Sequence, residues 1–235
     1  YAWLAYYPLR RREAWAWWLF LISGIYGFGS FLTYLGTSYL DTWHAAGTLM
    51  LLPFYIIGLA AASRTVKMEG ILCLLKRRNE FNFKSITNVG NCMLLFIAGG
   101  LFLGGIVIMG VGMTTVFVPQ DLEYMHINLC GLDDINPRLV PILAHDRASF
   151  GGGLATTGVM FFFCIFCSKP SRALWEILAL SITNGFASAI TVHHAVGYTD
   201  FTHLAPAYIG LVVFLTGMVL TYGRMHQKDV LTTGQ

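Results

Sequence analysis

The stretch Asn91–Val118, NCMLLFIAGGLFLGGIVIMGVGMTTVFV, contains no Asp, Glu, Lys, Arg or His. No segment of that length without charge can be covered by water, and it exceeds the roughly 20 apolar residues that cross about 30 Å of hydrocarbon as a helix. It shows no alternation of period two, so it does not read as a barrel strand. Lipid offers no partner to backbone amides, which leaves the helix as its conformation. Its length beyond a minimal span predicts tilt or protrusion.

Five further stretches have the same character: Ala14–Leu35, Trp43–Ala62, Gly151–Cys167, Ala173–Val192 and Leu204–Tyr222. The expectation is an all-α integral membrane protein, a single domain over 1–235 folded as a six-transmembrane-helix bundle. Bulk composition agrees. Hydrophobic residues make up 56 % and charged residues 11 %, against about 25 % charged in a soluble domain, and the mean hydropathy is +0.62. That leaves too little polar surface for a water-facing exterior, so the lipid bilayer is the expected surrounding.

Charge placement orients the bundle. With six alternating spans, Arg10, Arg11, Arg12, Arg64, Lys67, Lys76, Arg77, Arg78, Lys84, Lys169, Arg172, Arg224 and Lys228 fall on one side and only Arg138 and Arg147 on the other, 13 against 2. The positive-inside rule puts the 13, and both termini, in the cytoplasm. A bacterial inner membrane is the expected location. Arg10-Arg11-Arg12 runs into apolar sequence without a small-residue cleavage site, so it reads as the flank of a span and not as a signal peptide. The basic runs are topology signals and predict no nucleic-acid partner. No phosphate-cradling glycine loop or dinucleotide fingerprint occurs, so no nucleotide is expected either.

Two connections are long. The inner loop 63–90 is basic, and Thr65–Lys76 within it reads as an amphipathic surface helix. The outer loop 119–150 is expected to be structured, with Asp134-Ile135-Asn136-Pro137 capping a short helix that runs through Leu143 and stops before the fourth span.

Histidine supplies the sharpest functional signal. On this topology His44, His126, His145, His193, His194 and His203 all lie at the outer face, and only His226 lies inside. Imidazole with carboxylate is the usual ligand set for zinc, iron, copper or manganese, which makes His145, Asp146, His126 and Asp200 the candidate metal ligands. A histidine at a span end is also the axial ligand type for haem, and by extension for a chlorophyll-type pigment, which makes His44, His193, His194 and His203 the candidate cofactor ligands. Hydrogen bonding to backbone or headgroups explains any one of these rings equally simply. His193 and His194 are adjacent, point about 100° apart on a helix and cannot share one site.

Asn184, Ser188 and Thr191 continue to His194 at spacings that share one helical face. A polar face in a span is expected to point into the bundle, either as a proton path or cofactor cradle or as interhelical hydrogen bonding. Gly100 and Gly104 form a small-xxx-small pair that predicts close helix contact in the third span. Arg172 and Glu176 stand at ion-pairing distance on a helix. The five cysteines imply no disulfide framework, and Cys164 and Cys167 read as packing residues inside a span.

Three functions fit these features. First is an integral subunit of a larger membrane assembly of the electron-transfer, photosynthetic or respiratory kind, associated with other membrane subunits and carrying a metal or planar cofactor at its histidine-rich face. Second is a membrane metalloenzyme with a His/Asp site there. Third is a proton-coupled transporter using the polar stripe, weakened by the lack of a carboxylate midway along it.

Overall fold

A computed structural model of the chain describes residues 1–37, 42–67, 70 and 85–226. Every regular element among them is helical. Six helices are long and apolar enough to cross a membrane. They are α1 (Ala14–Phe31), α2 (Thr42–Thr65), α3 (Ile86–Met113), α6 (Leu139–Phe166), α7 (Arg172–Val196) and α8 (Phe201–Met225), with the short α4 (Pro119–Met125) and α5 (Leu129–Ile135) between α3 and α6. The surface helix expected over Thr65–Lys76 falls mostly outside the described residues.

The chain forms two compact units: Tyr1–Lys76 with Gly99–Phe163, and Arg77–Ala98 with Cys164–Gln235.

In the first unit α6 is the central element, because two of its faces carry small residues. Ala144, Ala148, Gly151 and Ala155 meet Gly105, Met109 and Gly112 of α3 so closely that a Cβ on Gly105, Gly112 or Gly151 would run into the facing backbone. The adjacent face holds Gly152, where a Cβ would strike the Ser30 side chain of α1, and Thr156, whose hydroxyl donates to the Ser23 carbonyl at 3.2 Å. Backbones approach this closely only where side chains are absent, the usual route to dispersion contact between spans. The third span thus packs through Gly105 and Gly112. A Cβ on Gly100 or Gly104, the expected contact pair, would meet nothing within 4 Å. Spacing alone identified a small-residue face but chose the wrong one.

The fourth span also differs from expectation. No separate outer helix ends at Leu143; α6 runs unbroken from Leu139 through Gly151-Gly152-Gly153 to Phe166. Asn136 is not a helix start. It closes α5 in extended conformation, and its side chain accepts the Arg138 N–H at 2.9 Å. Pro141 lies in the first turn of α6, where it removes no needed donor. No other breaker precedes the glycines, and the first two are held by contacts on both sides. His145, Asp146 and Arg147 are therefore helical residues and not loop residues.

The α3–α4 connection is fixed by one ion pair. Val116 sits at φ 63°, a conformation that disfavours a β-branched residue. Its carbonyl accepts from Arg147 Nη1 at 2.8 Å, and the same nitrogen meets Asp121 Oδ2 at 2.7 Å. Asp121 is buried and also accepts the Val118 N–H at 3.0 Å, capping the first turn of α4.

Helix α2 touches α1 through few groups. Trp17 donates its indole N–H to the Leu59 carbonyl at 2.9 Å, and the Tyr55 hydroxyl donates to the Phe20 carbonyl, its ring lying over Gly24.

In the second unit α7 and α8 form a helical hairpin. Gly197 at φ 79° closes α7, and Asp200 caps α8. Leu174, Leu178 and Ile182 of α7 and Phe214, Met218 and Met225 of α8 are buried. Trp175 donates to the Met218 carbonyl at 2.9 Å, and its ring meets Tyr222 and His226 edge-on. The first half of α3 lies on α8 where Gly90 and Gly217 allow it, a Cβ at either approaching the other's carbonyl within 3.1–3.2 Å. Arg172 and Glu176 pair at 2.7 Å, as their spacing indicated. Cys164 is buried and makes no disulfide.

Candidate functional site

The turn between α7 and α8 gathers the densest set of side chains with chemical potential. Tight closure through Gly197–Asp200 brings His193 and His203 together beside Tyr198. Their Nε2 atoms are 3.2 Å apart. The other ring nitrogen of His193, Nδ1, lies 2.7 Å from the Ala189 carbonyl. A carbonyl only accepts, so Nδ1 carries a proton, and the neutral form of His193 would present the lone pair of Nε2 to His203. The Tyr198 ring lies 4.7 Å from that of His203 and 5.9 Å from that of His193, at interplanar angles of 32° and 33°. Each imidazole is thus held by a second contact.

His194 turns to a different neighbour, its Nε2 lying 2.7 Å from the Tyr208 hydroxyl. Adjacent helical residues take different partners because about 100° separates them. The sequence pointed to the histidines but not to Tyr198 and Tyr208. The signal for Tyr198 was there: a ring at the centre of a four-residue connection must stand beside both helix ends.

Asp200 is an exposed cap. Its Oδ2 accepts from the Thr202 hydroxyl at 2.5 Å and from the His203 N–H at 2.7 Å. These hydrogen bonds, the hydroxyl first, hold its carboxyl below the usual carboxylate range. A carboxylate whose folded pKa is lowered stabilises the fold above its unfolded value of about 3.9, and that contribution disappears as pH falls through the folded value. Hydrogen–deuterium exchange at the amides of residues 201–204, taken relative to the intrinsic rate at each pH, is expected to quicken on acidification below the carboxylate range. In an Asp200→Ala variant it is expected to be fast already at neutral pH. Equal protection of wild type and variant would show that the cap contributes nothing.

The remaining candidates are dispersed. His44, His126 and His145 belong to the first unit, and His193, His194 and His203 to the second. His44 lies in the first turns of α2, with its side chain outside the described set. His126 terminates α4 in the left-handed conformation at φ 53° and is exposed. His145 is buried on α6, its ring 6.5 Å from that of Phe31. Asp146 is exposed on the next position, and Arg147 pairs with Asp121. Among the described residues, no three or more His, Cys, Asp or Glu side chains come together to hold a metal ion.

The polar stripe is continuous but faces outward. Asn184, Ser188, Thr191 and His194 are all exposed, and Ser181 extends the row by one turn. The expected inward orientation is not seen because α7 buries the opposite face, through Leu174, Leu178 and Ile182.

Comparison with known protein families, characterised proteins and solved structures finds no match.

Proposed function

We propose that this protein is an integral subunit of a larger membrane assembly, of the electron-transfer, photosynthetic or respiratory kind, to which it docks through the polar face of α7. The carrying observation is the contrast between the two helices of the hairpin. The exposed face of α8 is mainly aliphatic, with Ile209, Val212, Leu215 and Val219, and its one mid-span hydroxyl, Thr216, donates back to the Val212 carbonyl. That of α7 bears Ser181, Asn184, Ser188 and Thr191. Aliphatic side chains are at home among lipid tails. A carboxamide is not, because hydrocarbon leaves its two donors and its carbonyl unsatisfied. Serine and threonine can bond back to their own helix, whereas Asn184 makes no hydrogen bond to the described residues. A neighbouring span with polar groups at the same depth would satisfy it.

The charge asymmetry supports a cytoplasmic location for both termini and a bacterial inner membrane as the setting. On that orientation the turn containing His193, Tyr198 and His203 opens to the outer face, and this is where a metal or planar cofactor would reside.

Gentle extraction from native membranes tests the docking. The chain is expected to migrate as a species larger than a single copy in its detergent micelle. Asn184→Leu with Ser188→Leu is expected to release it to single-copy size, and Val212→Ala with Val219→Ala is expected to leave it assembled. A wild-type chain that runs as a single copy under all mild conditions overturns the proposal.

A further inference from the structure

We infer that His193 and His203 form a binding site for a compact divalent transition-metal ion of the zinc class, with solvent completing the coordination shell. Four features of the α7–α8 turn lead there.

The first is the separation of the two Nε2 atoms, 3.2 Å. Two imidazole nitrogens bound at 2.0–2.1 Å to one tetrahedral ion lie about 3.3 Å apart. A pair of axial ligands on opposite faces of a macrocycle must lie about 4 Å apart for the same bond length. This pair therefore suits a small ion held by both rings from one side, and not a haem or chlorophyll between them.

The second is the tautomer. His193 Nδ1 donates to the Ala189 carbonyl at 2.7 Å. An outer-shell hydrogen bond of this kind orients a metal-binding imidazole, frees its other nitrogen and raises its basicity. For His203 to bind, the proton it shares with His193 must leave, so metal and proton compete for the same gap.

The third is rigidity. Tyr198 packs on both rings, and the α8 cap at Asp200 fixes the backbone N–H of His203 itself. Two ligands on two short-linked helices lose little freedom on binding, which offsets a small ligand number. The fourth is charge. The Asp200 carboxylate stands beside His203, its Oδ2 2.7 Å from the His203 backbone N, so the turn favours a cation.

No third protein ligand comes close among the described residues. The remaining positions therefore fall to water or to an exchangeable donor. An open coordination position is the hallmark of a site that does chemistry or exchanges its ion, as opposed to a closed structural site.

The full chain in detergent, titrated with zinc chloride after exhaustive chelation and dialysis, tests the inference. One zinc ion per chain is expected. Nitrogen-15 histidine spectra are expected to show the Nε2 resonances of His193 and His203 moving together, with His194 and His126 unmoved. His193→Gln and His203→Gln are each expected to lower the affinity at least tenfold, and His194→Gln to leave it unchanged. The spectra keep the test decisive even if a variant does not fold. Zinc that binds elsewhere, or no binding with only a shared proton between the rings, overturns the inference. The assay reads the isolated chain, so its failure leaves docking through α7 standing, and failure of that docking leaves the metal site standing.

Discussion

Gly151→Leu is expected to abolish assembly of the first unit. A Cβ at this position already meets the amide nitrogen and Cα of Met109 and the carbonyl of Gly105 inside van der Waals contact. These are backbone atoms of α3, so no rotamer change relieves them. Overpacking a tight contact costs about 1–3 kcal/mol when side chains can give way. Here a helix must move, and the penalty is expected at or above the top of that range. The neighbouring glycines supply the control. Gly152→Ala meets the Cβ of Ser30 on α1, which no rotamer change moves, with the Tyr26 carbonyl close behind, so a clear loss is expected here too. Gly153→Ala faces open space. It is expected to be neutral or to stabilise the helix by about 0.5–1 kcal/mol, the usual gain over glycine in a helix interior. Thermal unfolding in detergent, followed by circular dichroism and by retention of monodisperse protein, ranks the three. Three equal melting temperatures would remove α6 from the centre of its unit.

Arg147→Ala is the second large effect expected. The guanidinium pairs with buried Asp121 at 2.7 Å and also donates to the carbonyl of Val116. Removing it leaves a buried carboxylate and a backbone carbonyl at a strained residue. Loss of one member of a buried pair typically destabilises by about 3–5 kcal/mol. Arg147 retains some exposure, so about 3 kcal/mol is expected. Asp121→Asn keeps the acceptor to Arg147 and the cap to Val118, and a smaller loss is expected. Arg147→Met combined with Asp121→Leu is expected to recover part of the stability, because neither charge then remains without its partner. Denaturant unfolding of the four proteins separates these outcomes. If the double variant is no better than Arg147→Ala, the pair stabilises through geometry and not through mutual neutralisation.

The residues involved show what was readable from sequence. Six spans follow from apolar length alone, since a charge-free run such as Asn91–Val118 has one stable conformation in lipid. Helix ends were harder. Apolar length alone starts the fourth span at Gly151 and leaves Asp146 and Arg147 in the outer loop, whereas the helix carries both and runs on through the three glycines. Glycine breaks a helix only where nothing compensates, and the compensation here lies on α1 and α3, distant in sequence. The same limit applies to the small-residue pairs. Gly100 and Gly104 satisfy the spacing rule as well as Gly105 and Gly112 do, and only the position of α6 distinguishes them. Arg147 had a sequence neighbour, Asp146, as its obvious partner. It takes Asp121 because successive helical residues diverge and the α3–α4 turn presents a carboxylate from the other side.

The histidines divide in the same way. Their clustering near span ends was visible, and so was the incompatibility of His193 with His194. The pairing of His193 with His203 needed the length of the turn and the place of Tyr198 within it. The polar row on α7 was visible as a row, but its direction depends on which face the aliphatic residues Leu174, Leu178 and Ile182 claim first.

Helix α2 has a consequence of a different order. Of the 18-residue apolar window within its Ala45–Thr65 stretch only 6 % is buried against protein, and its links to α1 are a few groups carried by Trp17 and Tyr55. Nearly all of the free energy that keeps it in place comes from its surroundings and little from its siblings. Membrane thickness, lipid order and the choice of solubilising agent therefore act on this helix directly, since mismatch is relieved by whichever segment is least constrained. It is the element through which the physical state of the bilayer can be transmitted to the rest of the chain.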